Sequence, residues 1–379
     1  MTRRRRILFV VTEEPHGISG SGLSQMGRTA GIAAGEFELA FAVSGNPAPV
    51  QVAARLPPPG PIERFSRRIA TGFSGAASRA GIMSLSVAVR DFSPDMAIFD
   101  GLDVAAYARG PLPRGCLRVL HLARPWMASE TAPGSRGAAR MARSFDRVAV
   151  PSHAEAATLS ADARLPDVRV LPYAPGDTWD GGSTDPSGQS SFFFIGDGEP
   201  TRTSEAMAIL ERVVERARAG GNRVQVHCSG PVQSRFPGLS PIGGGRQGEL
   251  LMLAPGTVLL APSDAATTTA SLVQAMAAGV PVIGVPAAIA RMSAVPGISA
   301  ATAWGIDGFG LALAMAAADP VRMARIGSAG RAAVGRSNSP SGVLSHLAAL
   351  FEPGAETSSG VSGGRVRSPA AIPPGRFRD

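Results

Sequence analysis

Ile7-Leu8-Phe9-Val10-Val11 is an unbroken apolar run of strand length, followed by turn formers from Pro15 to Gly22 and a helical stretch from Leu23 to Ala34. A strand with one wet face alternates apolar and polar residues. A run without a polar residue is covered on both faces, the situation of a strand in a parallel sheet with crossover helices. Strand-length runs return at Phe37 to Val43, Pro94 to Asp100, Leu117 to Leu122, Arg147 to Val150, Val168 to Pro172, Phe192 to Gly196, Val224 to Cys228, Val258 to Pro262 and Val280 to Val285. Helical stretches alternate with them, among them Thr203 to Ala219, with Ser204 as its expected cap, and Thr269 to Ala278. This alternation predicts an α/β chain.

The chain of 379 residues suits two domains better than one. Its 44% hydrophobic and 17% charged content supports packed cores. Residues 1–173 read as one Rossmann-like unit and 192–352 as a second. The Gly, Ser, Thr, Asp and Pro of 174–191 make a linker, and the last helices fall near Gly308 to Ala317, Pro320 to Val334 and Ser341 to Phe351. From 353 to 379 the Gly, Ser, Pro and Arg composition predicts a disordered tail. The expected architecture is therefore two doubly wound domains facing a cleft, with ligands at the carboxyl ends of the strands.

All 37 basic residues are arginine, against 29 acidic ones, for a formal charge of +8. A chain without lysine has no P-loop lysine and no Schiff-base lysine, so both classes of chemistry are excluded. Two cysteines, Cys116 and Cys228, build neither a disulfide framework nor a structural zinc site. No apolar stretch reaches eighteen residues, and the expectation is a cytoplasmic protein. The cluster Arg3 to Arg6 reads as a solvated lead-in to the first strand, with contact to the inner face of a membrane as the alternative. With 5% aromatic residues there is little stacking surface, and no nucleic-acid partner is expected.

Four segments carry more specific information. They are Ile7 to Val11 with the loop Pro15-His16-Gly17-Ile18-Ser19-Gly20-Ser21-Gly22; Val148-Ala149-Val150-Pro151-Ser152; Val170 to Asp177; and Leu260-Ala261-Pro262-Ser263 followed by Ser271 to Ile283. Their order and spacing resemble the GT-B glycosyltransferases of family 4. The resemblance covers the chain to about Phe351.

It implies a GT-B fold that moves a sugar from a nucleotide diphosphate-sugar to a saccharide or lipid-linked acceptor, with retention of configuration. Neither metal nor cofactor is implied, the nucleotide-sugar being substrate. Gly20 and Gly22 would approach the donor phosphates, His121 would face the donor sugar, and Thr267, Thr268, Thr269 and Ser271 would open the helix that holds the diphosphate. The family's two glutamates fall on Ala266 and Gln274, leaving Gln274 for the ribose. Of the family's phosphate-binding Arg and Lys, only Arg202 is near. Asp264 is the only acid between Pro262 and Ala275 and is the candidate for the vacated acidic role.

The residues alone leave alternatives open. The threonines suit an N-cap as well as a phosphate site, and a lone histidine is commonly satisfied by backbone. Asp100 and Asp103 are placed to serve an acceptor or to cap. Asp197-Gly198-Glu199 reads as a turn rather than a metal site. Loss of both glutamates also favours a degenerate GT-B protein acting as a glycan- or partner-binding module, and an epimerase shares the architecture.

Overall fold

The computed structural model describes residues 3–12, 25–44, 85–86, 89–109, 112–122, 141–163, 165, 167–175, 191–196, 200–221, 224–229, 238–242, 256–264, 266–292 and 294–353. Gly20, Gly22, the segment 197–199, most of the linker and the tail from 354 lie outside the described residues.

The first sheet is built from β1 (Arg6–Thr12), β2 (Glu38–Ser44), β3 (Met96–Asp100), β4 (Leu117–His121), β5 (Arg147–Val150) and β6 (Val168–Val170). Its order is β2-β1-β3-β4-β5-β6, parallel throughout. The apolar run explains itself here, since Ile7, Leu8 and Phe9 are each 0% exposed. Successive side chains of a strand point to opposite faces. Leu8 and Val10 join Phe99, Leu120 and Val148 on one face, while Ile7 and Phe9 join Ile98, Val119 and Ala149 on the other. The helices α1 (Gln25–Ala33), α2 (Leu102–Ala105) and α3 (His153–Ala163) follow β1, β3 and β5.

The second sheet comprises β7 (Ser191–Ile195), β8 (Val226–Ser229), β9 (Leu239–Ile242), β10 (Thr257–Ala261), β11 (Val282–Gly284) and β12 (Ala301–Thr302). It is again parallel, in the order β12-β11-β10-β7-β8-β9. Winding outward in both directions from β7 puts a topological switch point between β7 and β10, where such sheets take ligands. Its helices are α4 (Pro200–Ala219), α5 (Thr269–Ala277), α6 (Pro286–Arg291), α7 (Gly305–Ala318) and α8 (Pro320–Ser337).

The helix α4 starts at Pro200, so Ser204 lies within it rather than at its cap. Proline suits a first helical position because its φ is preset and its missing N–H has no partner to lose. Four elements have no counterpart in the sequence reading: α2, β9, β12 and α6, of four, four, two and six residues. Runs that short carry too few residues to show a period.

The final helix, α9 (Pro340–Ala349), crosses back to the first sheet. Leu347 and Leu350 are buried there with Ile7 and Phe9, and the guanidinium of Arg147 donates to the Leu350 carbonyl. Just before it, the Asn338 amide donates to the Tyr173 carbonyl at 2.8 Å. The N-terminal arginines are partly tied down: Arg6 pairs with Glu38 at 2.8 Å, and Arg5 lies over the Phe351 ring at 4.6 Å.

Candidate functional site

The candidate residues gather at the carboxyl ends of the strands in both sheets. In the first sheet Asp100 ends β3 and His121 ends β4, and the two are cross-strand partners. Their side chains therefore share a face, and His121 Nδ1 lies 2.8 Å from Asp100 Oδ1. A carboxylate only accepts, so Nδ1–H is the donor, and in the neutral ring Nε2 is left as an acceptor. His121 is 0% exposed and Nε2 is buried without a hydrogen-bond partner. The Tyr173 ring stands edge-on at 6.4 Å between centroids, and Tyr173 itself packs in the second sheet's core.

In the second sheet the loop after β10 leads into α5 beside the switch point. Thr267 is wholly buried and its hydroxyl donates to the Ile195 carbonyl at the end of β7, at 2.6 Å, fastening the loop across β7 and β10. Thr268 is the N-cap of α5, its Oγ1 accepting from the Ser271 amide at 3.3 Å. A helix leaves its first four N–H groups without intrahelical partners. Thr268 takes one of them, and the first turn keeps the partial positive charge that attracts anions. Thr269, 1% exposed, donates from Oγ1 to Glu155 Oε1 at 3.2 Å.

Glu155 belongs to α3 of the first sheet, so this hydrogen bond joins the carboxyl ends of the two sheets. The Ser152 hydroxyl accepts from the Glu155 amide at 3.2 Å and donates to Glu155 Oε2 at 3.0 Å. Ser152 thus caps the start of α3, and the carboxylate bonds back to the cap's hydroxyl. Burial pushes the Glu155 carboxyl above the usual carboxylate range; the neighbouring Arg291 charge and the bonds from Ser152 and Thr269 pull it back.

Arg291 ends α6 and is 5% exposed, with its Nη2 donating to the Thr267 carbonyl at 2.8 Å. Its Nε stands 3.4 Å from Asp264 Oδ1, close enough for attraction of charges but not aligned as a hydrogen bond. Nη1 is buried without a partner. Asp264 thus faces a guanidinium. Arg202, on the first turn of α4, pairs with Glu205 at 2.8 Å, and Glu205 also accepts from the Ser263 hydroxyl at 3.5 Å. Ala266 is buried in the second core and its carbonyl accepts from Thr203 Oγ1 at 3.3 Å. Ser271 and Gln274 sit three residues apart on α5 and share a face.

Asp264, Thr267, Thr268, Thr269 and Ser271 therefore collect around the start of α5, with Arg202 at the neighbouring helix start and His121 at the opposite sheet. Glu155 and Arg291 were not singled out from sequence. The Ser152-x-x-Glu155 spacing is one that starts helices, but nothing in it announces a partner 114 residues away. Among the described residues no cluster of three or more His, Cys, Asp or Glu is placed to hold a metal. A cavity of about 1240 Å³ opens elsewhere, lined by Ser191, Arg216, Gln225 and Leu311 near the amino ends of β7 and β8, away from these groups.

Two parallel, doubly wound sheets meeting at their carboxyl ends, with the last helix returned to the first sheet, are the GT-B architecture. No family model and no curated protein matches the chain in sequence. Solved structures match it in fold. Sucrose-phosphate synthase from Thermosynechococcus elongatus aligns with a TM-score of 0.65 at 15% identity, covering 92% of this chain and 98% of that one. HepE of Anabaena, solved in complex with UDP and glucose, gives 0.61 at 13%, covering 91% and 98%. WaaG, a glycosyltransferase involved in lipopolysaccharide biosynthesis, gives 0.58 at 12%, covering 92% and 100%. No helix among the described residues is long and apolar enough to cross a membrane.

Proposed function

We propose that the chain is a glycosyltransferase that moves a sugar from a nucleotide diphosphate-sugar to a saccharide or lipid-linked acceptor. The observation that carries this reading is the start of α5, a helix N-terminus beside the β7/β10 switch point that is capped by Thr268 and meets the first sheet through Thr269 and Glu155. Sugar transfer asks the protein to stabilise the negative charge that gathers on the departing diphosphate. First-turn amides with the hydroxyls of Thr269 and Ser271 supply donors for it, and Arg202 adds charge near the same end of the sheet. Thr267 and Thr268 hold the loop and cap in place.

Gln274 receives the ribose as a neutral hydrogen-bonding partner, and Nε2 of His121 accepts from a sugar hydroxyl. Gly20 and Gly22, outside the described residues, are the glycines this reading assigns to the donor phosphates, and Asp264, paired with Arg291, is the acid it assigns to the donor sugar. UDP is the first nucleotide to try, since HepE was solved with UDP and with UDP-glucose. In this reading transfer runs without a metal and retains configuration at the anomeric carbon. The protein works in the cytoplasm, with Arg3, Arg4 and Arg5 available to an anionic membrane surface.

The test is the melting temperature of the purified chain with nucleotide diphosphates and their sugars. A ligand at 100 times its Kd stabilises the folded state by about 2.7 kcal/mol, and the stabilising donor is then followed into products by NMR. A chain unmoved by every donor at millimolar concentration would be a binding module instead. Buried Ala266, which has no side-chain polar atom for a sugar hydroxyl and whose carbonyl is already bonded to Thr203, is the observation favouring that second reading.

A further inference from the structure

The contact between Glu155 and Thr269 puts a carboxylate where the start of α5 attracts an anion. We propose that Glu155 sets the affinity for donor by competing with its phosphates: the carboxylate holds the anion position on α5, and an incoming diphosphate takes its place. The inference rests on the nucleotide-sugar reading above.

Three observations converge on it. First, Glu155 approaches from the first sheet while the helix start it touches belongs to the second, so the contact bridges the carboxyl ends of the two sheets. Second, Arg291 beside it is 5% exposed, bonds to the carbonyl of Thr267 just ahead of the cap, and has buried Nε and Nη1 atoms with no hydrogen-bond partner. A phosphate offers several acceptor oxygens to those donors, whereas the single carboxylate is already shared between Thr269 and Ser152. Third, Glu155 has somewhere to go. Its Oε2 is held by Ser152 at the start of its own helix, so leaving Thr269 forfeits one hydrogen bond and keeps the carboxylate capped.

The charged groups facing it are Arg291 from α6, which favours the anion, and Asp264 from the loop after β10, which opposes it. Protonating Glu155 removes the competing charge. Donor binding should therefore strengthen, relative to a variant with no charge there, as pH falls.

Calorimetric titration of the full chain with inorganic pyrophosphate and with UDP, comparing wild type, Glu155→Gln and Glu155→Asp, tests this. Glutamine keeps an acceptor for Thr269 without the charge and should tighten pyrophosphate binding about tenfold at about pH 7.5. The advantage should shrink as pH falls, because burial raises the Glu155 carboxyl and the wild type then takes up the proton that removes its charge. Aspartate keeps the charge but is one methylene short of Thr269, so it should tighten binding by less; it also serves if the glutamine variant fails to fold. Pyrophosphate bound no more tightly by either variant than by wild type overturns the competition. Pyrophosphate tightened while UDP is ignored by every form upholds the competition and overturns the nucleotide-sugar reading instead.

Discussion

His121 holds Asp100 with one ring nitrogen and keeps the other buried and unbonded, an arrangement that gives the imidazole a fixed orientation and one acceptor to offer. Asp100 is the positioning residue of this pair. Asp100→Ala should lower kcat/KM for transfer at least about tenfold while UDP binding, which His121 does not touch in this reading, stays unchanged; steady-state kinetics beside calorimetry separates the two. The cysteines make the opposite kind of statement. Burial pushes the thiols of Cys116 and Cys228 up to about 12, so neither is a thiolate at neutral pH. Both should be silent to a thiol reagent in the folded chain and both should react once it is unfolded, a count made by absorbance. At this scale the sequence identified groups whose position in the strand order mattered, such as His121 at the end of β4. It passed over Glu155 and Arg291 because a side chain's meaning there comes from a partner in another part of the chain.

Among the elements, α8 comes unusually close to the turn that follows α5. A Cβ added at Gly327 would overlap the carbonyl oxygen of Gly279, itself at a φ of +82°. Backbone cannot yield as a side-chain tip does. Gly327→Ala should destabilise the fold by about 1–3 kcal/mol, read as a lowered denaturant midpoint with an unchanged slope. The docking of α9 carries a pH dependence. Burial lowers the pKa of His346, its neighbour His153 lowers it further, and a hydrogen bond to the Val170 backbone opposes both. For a histidine so lowered, the stabilisation is complete above the ordinary value of about 6.5 and is lost as pH falls through the depressed one. The melting temperature should therefore drop as pH falls below about 6.5, and His346→Gln should flatten that slope. Strands covered on both faces were readable because burial writes itself into composition. The two-residue β12 and the six-residue α6 were not, because their pairing and packing come from neighbours rather than from any period of their own.

For the molecule as a whole, the doubled α/β plan could be read because each sheet repeats one local grammar of apolar strand, turn and helix. How the halves are joined could not be read. The hydroxyl bond from Thr269 to Glu155 and the return of α9 are contacts between distant segments, and the apolar face of α9 looks the same whichever sheet it covers. That return has a consequence during synthesis. The first sheet finishes its core with Leu347 and Leu350, so the half of the protein that leaves the ribosome first must wait, with part of one apolar face uncovered, until the whole second sheet has been made. The second sheet has no such wait. Birth order and completion order run in opposite directions along this chain, and a stalled or shortened nascent chain would leave bare the older half, not the newer one.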